Sequence, residues 1–309
     1  MSGICAGRVV IITGAGRGLG RAHALAFARE GARLVINDTG VERDGTGGDH
    51  GPADAVTAEV RELGGEAIAD YEDAASWDGS ARLVEAAVAQ YGRLDVLVNN
   101  AGILRDRMLV NMTEDDWDGV IRTHLRGVFA PTRHAAAYWR ERAKAGQPND
   151  ARVICTSSPS GLYGNPGQVN YGAAKAGIAA FALIAATELG RYGVTVNAIA
   201  PGARTRMTEG LAVLDGAAAD GVGGEPDDLA PERVSPLVVW LGSEQSRDIT
   251  GRVFNVWGSE LNVAGGWHSG PGVRQLGTWA PADLGLVVPG LVAKAAPNSD
   301  MWGQPIVAG

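Results

Sequence analysis

Cysteine is nearly absent. The 309-residue chain holds only Cys5 and Cys155, too few for a disulfide framework or a thiolate metal site. Five histidines occur without an HxxxH pair or a His/Cys cluster, so the usual zinc spacings are missing too. Positive charge is short as well: 27 Lys and Arg stand against 35 Asp and Glu, and a net charge of −8 argues against the footprint of a nucleic-acid binder. No apolar run approaches the roughly 18 residues of a membrane span. The N-terminal run from Val9 to Ile12 is too short for the core of a signal peptide. Ser158 has no neighbouring histidine and acid to make it a hydrolytic nucleophile. These absences leave the expectation of a cytoplasmic protein without metal, nucleic acid or membrane span, whose partner is a small molecule.

What the sequence does have is alternation. Residues 8–13 form a short β-branched run that ends at glycines, as a parallel strand buried on both faces would. A glycine-rich turn then leads into a helical pattern stopping at Gly31, and residues 33–38 read as a second strand ending on Asp38. Strand, turn, helix, strand is a βαβ unit, right-handed by the strong rule for such crossovers. Helices at 53–63 and 80–91 alternate with strands at 66–71 and 95–99. Thr113 with Asp116 resembles a capping box opening one long helix through Trp117, Val120, His124 and Val128. Strands at 152–156, 194–199 and 252–257 complete the series, with Pro201-Gly202 ending the second of these and a helix at 231–242 before the third. The pattern predicts an α/β fold: a single doubly wound Rossmann-type parallel sheet of seven strands with helices on both faces, spanning residues 1–265. Residues 203–230, rich in Gly, Ala and Asp, read as a lid. Residues 266–309 read as a C-terminal arm, and its Trp267, Trp279 and Trp302 are costly to leave in water, so the arm is expected to pack on the domain or on a partner subunit.

Three motifs carry chemistry. TGAGRGLG (13–20) places Gly14, Gly18 and Gly20 between a strand and a helix, where the backbone must turn sharply and approach a diphosphate at a helix N-terminus. The spacing is not GxGxxG, because Leu19 stands where that fingerprint needs its last glycine. Asp38 ends the next strand, positioned to accept hydrogen bonds from an adenosine ribose and to repel a 2′-phosphate, which favours NAD. Arg17 is the opposing feature, since a guanidinium there suits a phosphate. Finally, Tyr171 and Lys175 stand four residues apart in a helix-favouring segment, on one face. A nearby ammonium lowers a tyrosine pKa and turns it into a usable base. Ser158, thirteen residues upstream, is placed to hold an alcohol or polarise a carbonyl.

In order and spacing, TGAGRGLG (13–20), NNAG (99–102), Ser158, YGAAK (171–175) and PG (201–202) resemble the short-chain dehydrogenases/reductases over about residues 5–265. The resemblance implies hydride transfer between a secondary alcohol and NAD. It implies that Gly14, Arg17, Gly18, Leu19 and Gly20 line the diphosphate, that Asp73 and Ala74 meet the adenine, and that Asn100 and Gly102 border the ribose and sheet edge. Tyr171 would be the acid/base, Lys175 would bind the nicotinamide ribose and depress the tyrosine pKa, and Ser158 would orient the substrate oxygen. Pro201, Gly202 and Thr205 or Thr208 would meet the nicotinamide. His124 stands where most of the family has an asparagine, whose water-holding role through the backbone a histidine can keep; a satisfied core histidine is the alternative. Longer stretches, NNAGILRDRM (99–108), DDWDGVIRTHLRGVF (115–129) and GLYGNPGQVNYGAAKAG (161–177), resemble the (3R)-hydroxyacyl-CoA dehydrogenase modules of peroxisomal multifunctional enzymes and bacterial relatives. They imply a 3-hydroxyacyl-CoA as substrate, with a 17β-type hydroxysteroid as the alternative, Tyr163 and Gln168 on the substrate side, and a homodimer or homotetramer. A non-catalytic NAD-binding regulator on the same fold is a reading of another class, and its mark would be loss of Tyr171 or Lys175.

Overall fold

The β-branched runs become strands in the computed structural model, which describes residues 3–205, 227 and 229–306. The strands are β1 (Val9–Thr13), β2 (Arg33–Asn37), β3 (Glu66–Asp70), β4 (Val96–Asn99), β5 (Ala151–Thr156), β6 (Val194–Gly202), β7 (Val253–Trp257) and β8 (Glu260–Val263). They form one sheet in the order β3-β2-β1-β4-β5-β6-β7-β8, with β8 antiparallel to β7 and the other pairs parallel. The class is the one expected, but the sheet has eight strands rather than seven and is not wholly parallel. All four residues of β8 are exposed, so no buried alternation announces it. Its signal is the two-residue Gly258-Ser259 connection, with Gly258 at φ 53, which turns β7 back on itself.

The helices are α1 (Gly18–Arg29), α2 (Gly51–Glu62), α3 (Trp77–Tyr91), α4 (Glu114–Ile121), α5 (Gly127–Lys144), α6 (Pro159–Leu162), α7 (Val169–Leu189), α8 (Ser235–Gly242) and α9 (Pro281–Val292). Val10 and Ile12 of β1 share one core with Phe27 of α1, Val60 of α2 and Leu241 of α8. Val9 and Ile11 face the opposite core, with Leu83 of α3, Trp139 of α5 and Ile178 of α7. Burial on both sides is why β1 is apolar from Val9 to Ile12, each such side chain contributing about 1.5–3 kcal/mol. Trp139 is fully buried, and its indole N–H donates to the Leu94 carbonyl at 2.8 Å.

The single long helix expected after Thr113 is broken. Its start is as expected, with Thr113 and Asp116 exchanging side-chain and backbone hydrogen bonds at 3.1 Å. A π-helical turn at Arg122–Arg126 then separates α4 from α5, with His124 buried in its middle. One extra residue per turn cannot be read from apolar spacing, which is nearly unchanged by it.

Helix Val169–Tyr192 is long and apolar enough to cross a membrane by length and composition. It lies on the sheet, with Ile178, Ala182, Ala185 and Ala186 in the second core. Most of the arm is exposed, including Trp267, Leu276 and Leu286, and α9 has no buried residue. Its far end returns to the domain. The lid expected at 203–230 and Thr208 lie mostly or wholly outside the described residues.

Candidate active site

Parallel strands deliver their carboxyl ends to one edge of the sheet, and the order reverses direction between β1 and β4, where α/β sheets open a crevice. A cleft of about 390 Å³ lies along that edge, within the usual range for a small-molecule site. It is lined from β1 by Gly14, Arg17, Gly18 and Leu19, from β2 by Asp38, and after β3 by Asp73 and Ala74. Beyond β4 come Asn100 and Gly102, then Ser158, Tyr171 and Lys175, and after β6 Pro201, Gly202 and Thr205. His124 lines it as well, from the π-helical turn.

The turn after β1 is built for an anion. Gly14 has φ 64, and a Cβ there would lie 2.7 Å from the Ala101 Cα; Gly18 has φ 52. Gly20 is not in the cleft lining; it sits beneath the turn, where a Cβ would collide with the Gly14 carbonyl oxygen. Its role is close packing of helix against turn. No side chain caps the N-terminus of α1. Its first-turn N–H groups, with the helix dipole behind them, are therefore offered toward the cleft. Asn100 staples the turn to β4, its side-chain amide donating to the Thr13 and Gly14 carbonyls at 3.1 and 3.0 Å.

Asp38 accepts from the Gly16 N–H at 2.8 Å and the Gly40 N–H at 2.7 Å. Two oxygens with four lone pairs leave it further acceptor capacity. The Arg17 guanidinium donates to the Val41 carbonyl at 3.3 Å. Asp73 pairs with Arg122 and accepts from the Ala75 N–H at 2.8 Å, while the neighbouring Glu72 pairs with Arg82. An anion cradle, a ribose acceptor and a lysine beyond it form a donor set that fits a nicotinamide dinucleotide.

Ser158 follows β5 as the N-cap of α6 and accepts from the Ser160 N–H at 3.2 Å. Its hydroxyl hydrogen-bonds Tyr171. Lys175 is 3% exposed; its ammonium donates to the Thr156 carbonyl at 2.6 Å and lies 5.5 Å from the centroid of the Tyr171 ring. The triad is thus assembled from β5, α6 and α7. Ser157 locks the same joint by donating to the Lys175 carbonyl at 2.8 Å.

The electrostatics differ from the simple expectation. Burial pushes Tyr171 up to about 12, opposed in part by the Ser158 hydrogen bond. Burial also draws Lys175 down to about 7. The cost of removing both groups from water exceeds what their neighbourhood returns. The depression of the tyrosine pKa expected from Lys175 is outweighed by burial.

His124 is 1% exposed, and burial, with the Lys175 charge second, draws its pKa down to about 3, so the ring is neutral. Nε2 lies 2.7 Å from the Ile103 carbonyl oxygen and 3.2 Å from the Ile103 nitrogen. The shorter contact requires an N–H on Nε2, which makes Nδ1 a lone-pair acceptor; that atom is buried without a hydrogen-bond partner. The imidazole meets the Tyr171 ring edge-on at 5.1 Å, and only glycine fits at position 102, where a Cβ would collide with it.

Gln168, expected on the substrate side, lines the cleft, held between Ser160, Asn165 and Asp106. Tyr163 does not line it: its hydroxyl accepts from Asn255 at 2.7 Å behind the cleft wall. Arg105, Arg107 and Arg204 are engaged with the Asp44 and Asp115 carbonyls, Asp116 and Asp227 respectively. Met301 and Trp302 of the arm do line the cleft. No local pattern marks them; the one signal is a tryptophan too costly to leave in water.

The family model for short chain dehydrogenase matches residues 8–212. Hydroxyacyl-CoA dehydrogenase ChsB1 of Mycobacterium tuberculosis is 44% identical over 281 residues, covering 90% of this chain and 86% of its own. Peroxisomal multifunctional enzyme type 2 of Mus musculus is 45% identical over 250 residues, 81% of this chain but only 31% of that longer protein. The crystal structure of a short chain dehydrogenase from Mycobacterium avium superposes with a TM-score of 0.86 at 52% identity, covering 99% of this chain and 100% of that one. A doubly wound sheet, a serine, tyrosine and lysine meeting at its carboxyl edge, and relatives of this extent converge: the chain belongs to the short-chain dehydrogenase family, oxidoreductases that act on the CH–OH group of their donors.

Proposed function

We propose that this protein oxidises the 3-hydroxyl of a 3-hydroxyacyl-CoA to the ketone with NAD as acceptor. The observation that carries the chemistry is the meeting of Ser158, Tyr171 and Lys175 in one cleft with an anion-binding glycine turn. The substrate class rests on the names of the relatives and on the stretches shared with such modules. Preference for NAD rests on Asp38, whose charge would face a 2′-phosphate. When bound, the nicotinamide supplies the hydride acceptor. Ser158 holds the substrate oxygen, and Tyr171 takes its hydroxyl proton as the carbon–hydrogen bond breaks and the carbonyl forms. Lys175, protonated, favours the phenolate, and its buried ammonium is placed for a ribose hydroxyl. In the reverse direction Tyr171 returns the proton to the carbonyl oxygen.

The intact triad favours this over a non-catalytic regulator. A panel of acyl-CoA and steroid alcohols with NAD⁺ and NADP⁺, followed by nicotinamide absorbance, is the test. Turnover of 3-hydroxyacyl-CoA with NAD⁺ is expected, and Tyr171→Phe should lower it by about 10³-fold or more while cofactor still binds. Turnover that survives the substitution sinks the mechanism; exclusive use of steroid alcohols sinks the substrate assignment.

We further infer a homodimer or homotetramer built on α5 and α7, which expose Phe129, Leu183 and Ile184. Light scattering of the purified chain measures it, and a monomer at micromolar concentration would contradict it. Two buried, free cysteines suit a cytoplasmic site of action.

A further inference from the structure

The last described stretch of the arm is a self-contained hook. Asp300 organises it: its carboxylate accepts from the Trp302 and Gln304 N–H groups, each at 2.9 Å, and its own N–H donates to the Gln304 carbonyl at 2.8 Å. The Ile306 N–H donates to the Asn298 carbonyl at 2.8 Å, closing the loop beside an antiparallel bridge between Ser299 and Pro305. Gly303 sits at φ 75 directly against the Tyr163 ring, since a Cβ there would lie 3.2 Å from the ring and from its hydroxyl oxygen. Trp302 meets Trp257 edge-on at 5.9 Å. Both supports are fixed to the domain: Trp257 ends β7, and Tyr163 is bonded to Asn255 of the same strand. The hook is thus clamped between the end of the sheet and the segment leading from Ser158 to Tyr171.

Its exposed flank is the wall of the cleft. Met301 and Trp302 share the lining with Pro159 and Pro166, and with the reacting Ser158 and Tyr171. The glycine turn, Asp38 and Asp73 line the same cleft from the strands on the other side of the β1/β4 switch point. One flank is polar and suits a dinucleotide; the other is apolar and aromatic. We infer that the hook carrying Met301 and Trp302 is the acyl-selecting wall, against which the hydrocarbon part of the substrate packs, so that the C-terminal arm sets which acyl chains are oxidised. This deepens the hydroxyacyl-CoA reading and rests on it. A long or ring-bearing acyl group would bury apolar surface on the indole and thioether, whereas a four-carbon acyl group has little hydrocarbon to bury there.

The test compares kcat/KM for 3-hydroxyacyl-CoA substrates of about four and about sixteen carbons in the full-length protein, Trp302→Ala and Trp302→Phe. Removing the indole should lower the long-chain value by about tenfold or more while the short-chain value moves less than about threefold, and the phenylalanine should restore most of the loss. Gly303→Leu, which needs a positive φ and drives a side chain into Tyr163, displaces the whole hook and should give the same length-dependent pattern. NAD binding by fluorescence and thermal melting verify that each variant is folded. Loss that is equal at both lengths, or no loss at all, overturns the assignment of the hook. A wild-type protein that oxidises none of these substrates overturns the functional reading, and the hook assignment with it.

Discussion

Replacing Lys175 with methionine should stabilise the protein while ending its turnover. Lys175 is 3% exposed, and its hydrogen bond to the Thr156 carbonyl is 2.6 Å long. Burial draws its pKa from the ordinary 10.5 to about 7. At roughly 1.4 kcal/mol per tenfold, that displacement sets about 4–5 kcal/mol against folding wherever the unfolded lysine is charged and the folded one must be charged too. The sign follows from proton counting: between pH 7 and 10.5 the unfolded chain binds a proton that the folded chain has released. Stability therefore rises with pH through that window, and the penalty is complete below it. Methionine keeps the apolar stem and removes the charge, at the cost of leaving the Thr156 carbonyl without its donor, about 1–3 kcal/mol. The variant should thus exceed the wild type by on the order of 2 kcal/mol near pH 6, and the advantage should vanish or reverse near pH 10. Urea denaturation of both proteins without cofactor, at several pH values between those limits, reads the difference directly. A difference that stays constant across the range would refute the burial argument, because only a titrating group can tilt it.

The remaining predictions concern the cofactor edge and one structural ion pair. Asp38→Ser removes the charge that would face a 2′-phosphate, so the ratio of kcat/KM for NAD⁺ over NADP⁺ should fall by about tenfold or more; an unchanged ratio would shift the assignment to Arg17. Gly14→Ala places a side chain at φ 64 and 2.7 Å from the Ala101 Cα, and should cost about 2 kcal/mol or more in stability together with dinucleotide affinity, both visible in melting curves with and without NAD⁺. Asp150 holds Arg8 at 2.9 Å and Arg152 at 2.6 Å, side chains only 6% and 2% exposed. Asp150→Ala should destabilise by about 2–3 kcal/mol, discounted because the carboxylate itself is partly exposed, with KM untouched; a neutral effect would mean Arg152's bonds to Ser243 and Ser246 suffice.

What could be read from the chain follows from the range over which each cause acts. A strand buried on both faces is apolar through its middle, so β1, β2 and β5 announce themselves by the runs Val9–Ile12, Leu34–Ile36 and Val153–Cys155. A glycine at φ 64 followed by an uncapped helix is equally local, and so is Tyr171 four residues before Lys175. The π-helical turn at His124 is also local, yet apolar spacing cannot reveal it. One extra residue shifts the helix face by less than the width of the apolar stripe, and the event that matters is an imidazole filling the space that Gly102 leaves. The exposed β8 fails for the opposite reason, since a strand with no buried face has no pattern to show.

The sign of the Tyr171 shift and the role of Trp302 lie further out of reach, and for one shared reason. The pairing of Tyr171 with Lys175 suggests a lowered tyrosine pKa, but the outcome depends on burial in the cleft, on the Ser158 hydrogen bond and on the Asp106 charge, drawn from segments scattered along the chain. Burial outweighs the local pairing, and the tyrosine rises. The same cleft is walled by Trp302, which is brought to it by a turn tied at Asp300 and an edge-on contact with Trp257. In both cases the identity of the reacting groups is a short-range property and their environment is a long-range one. Reaction class follows from the first, which is why the motifs reach it. The substrate follows from the second, and the arm that supplies part of that environment lies beyond residue 265, outside the stretch in which those motifs occur.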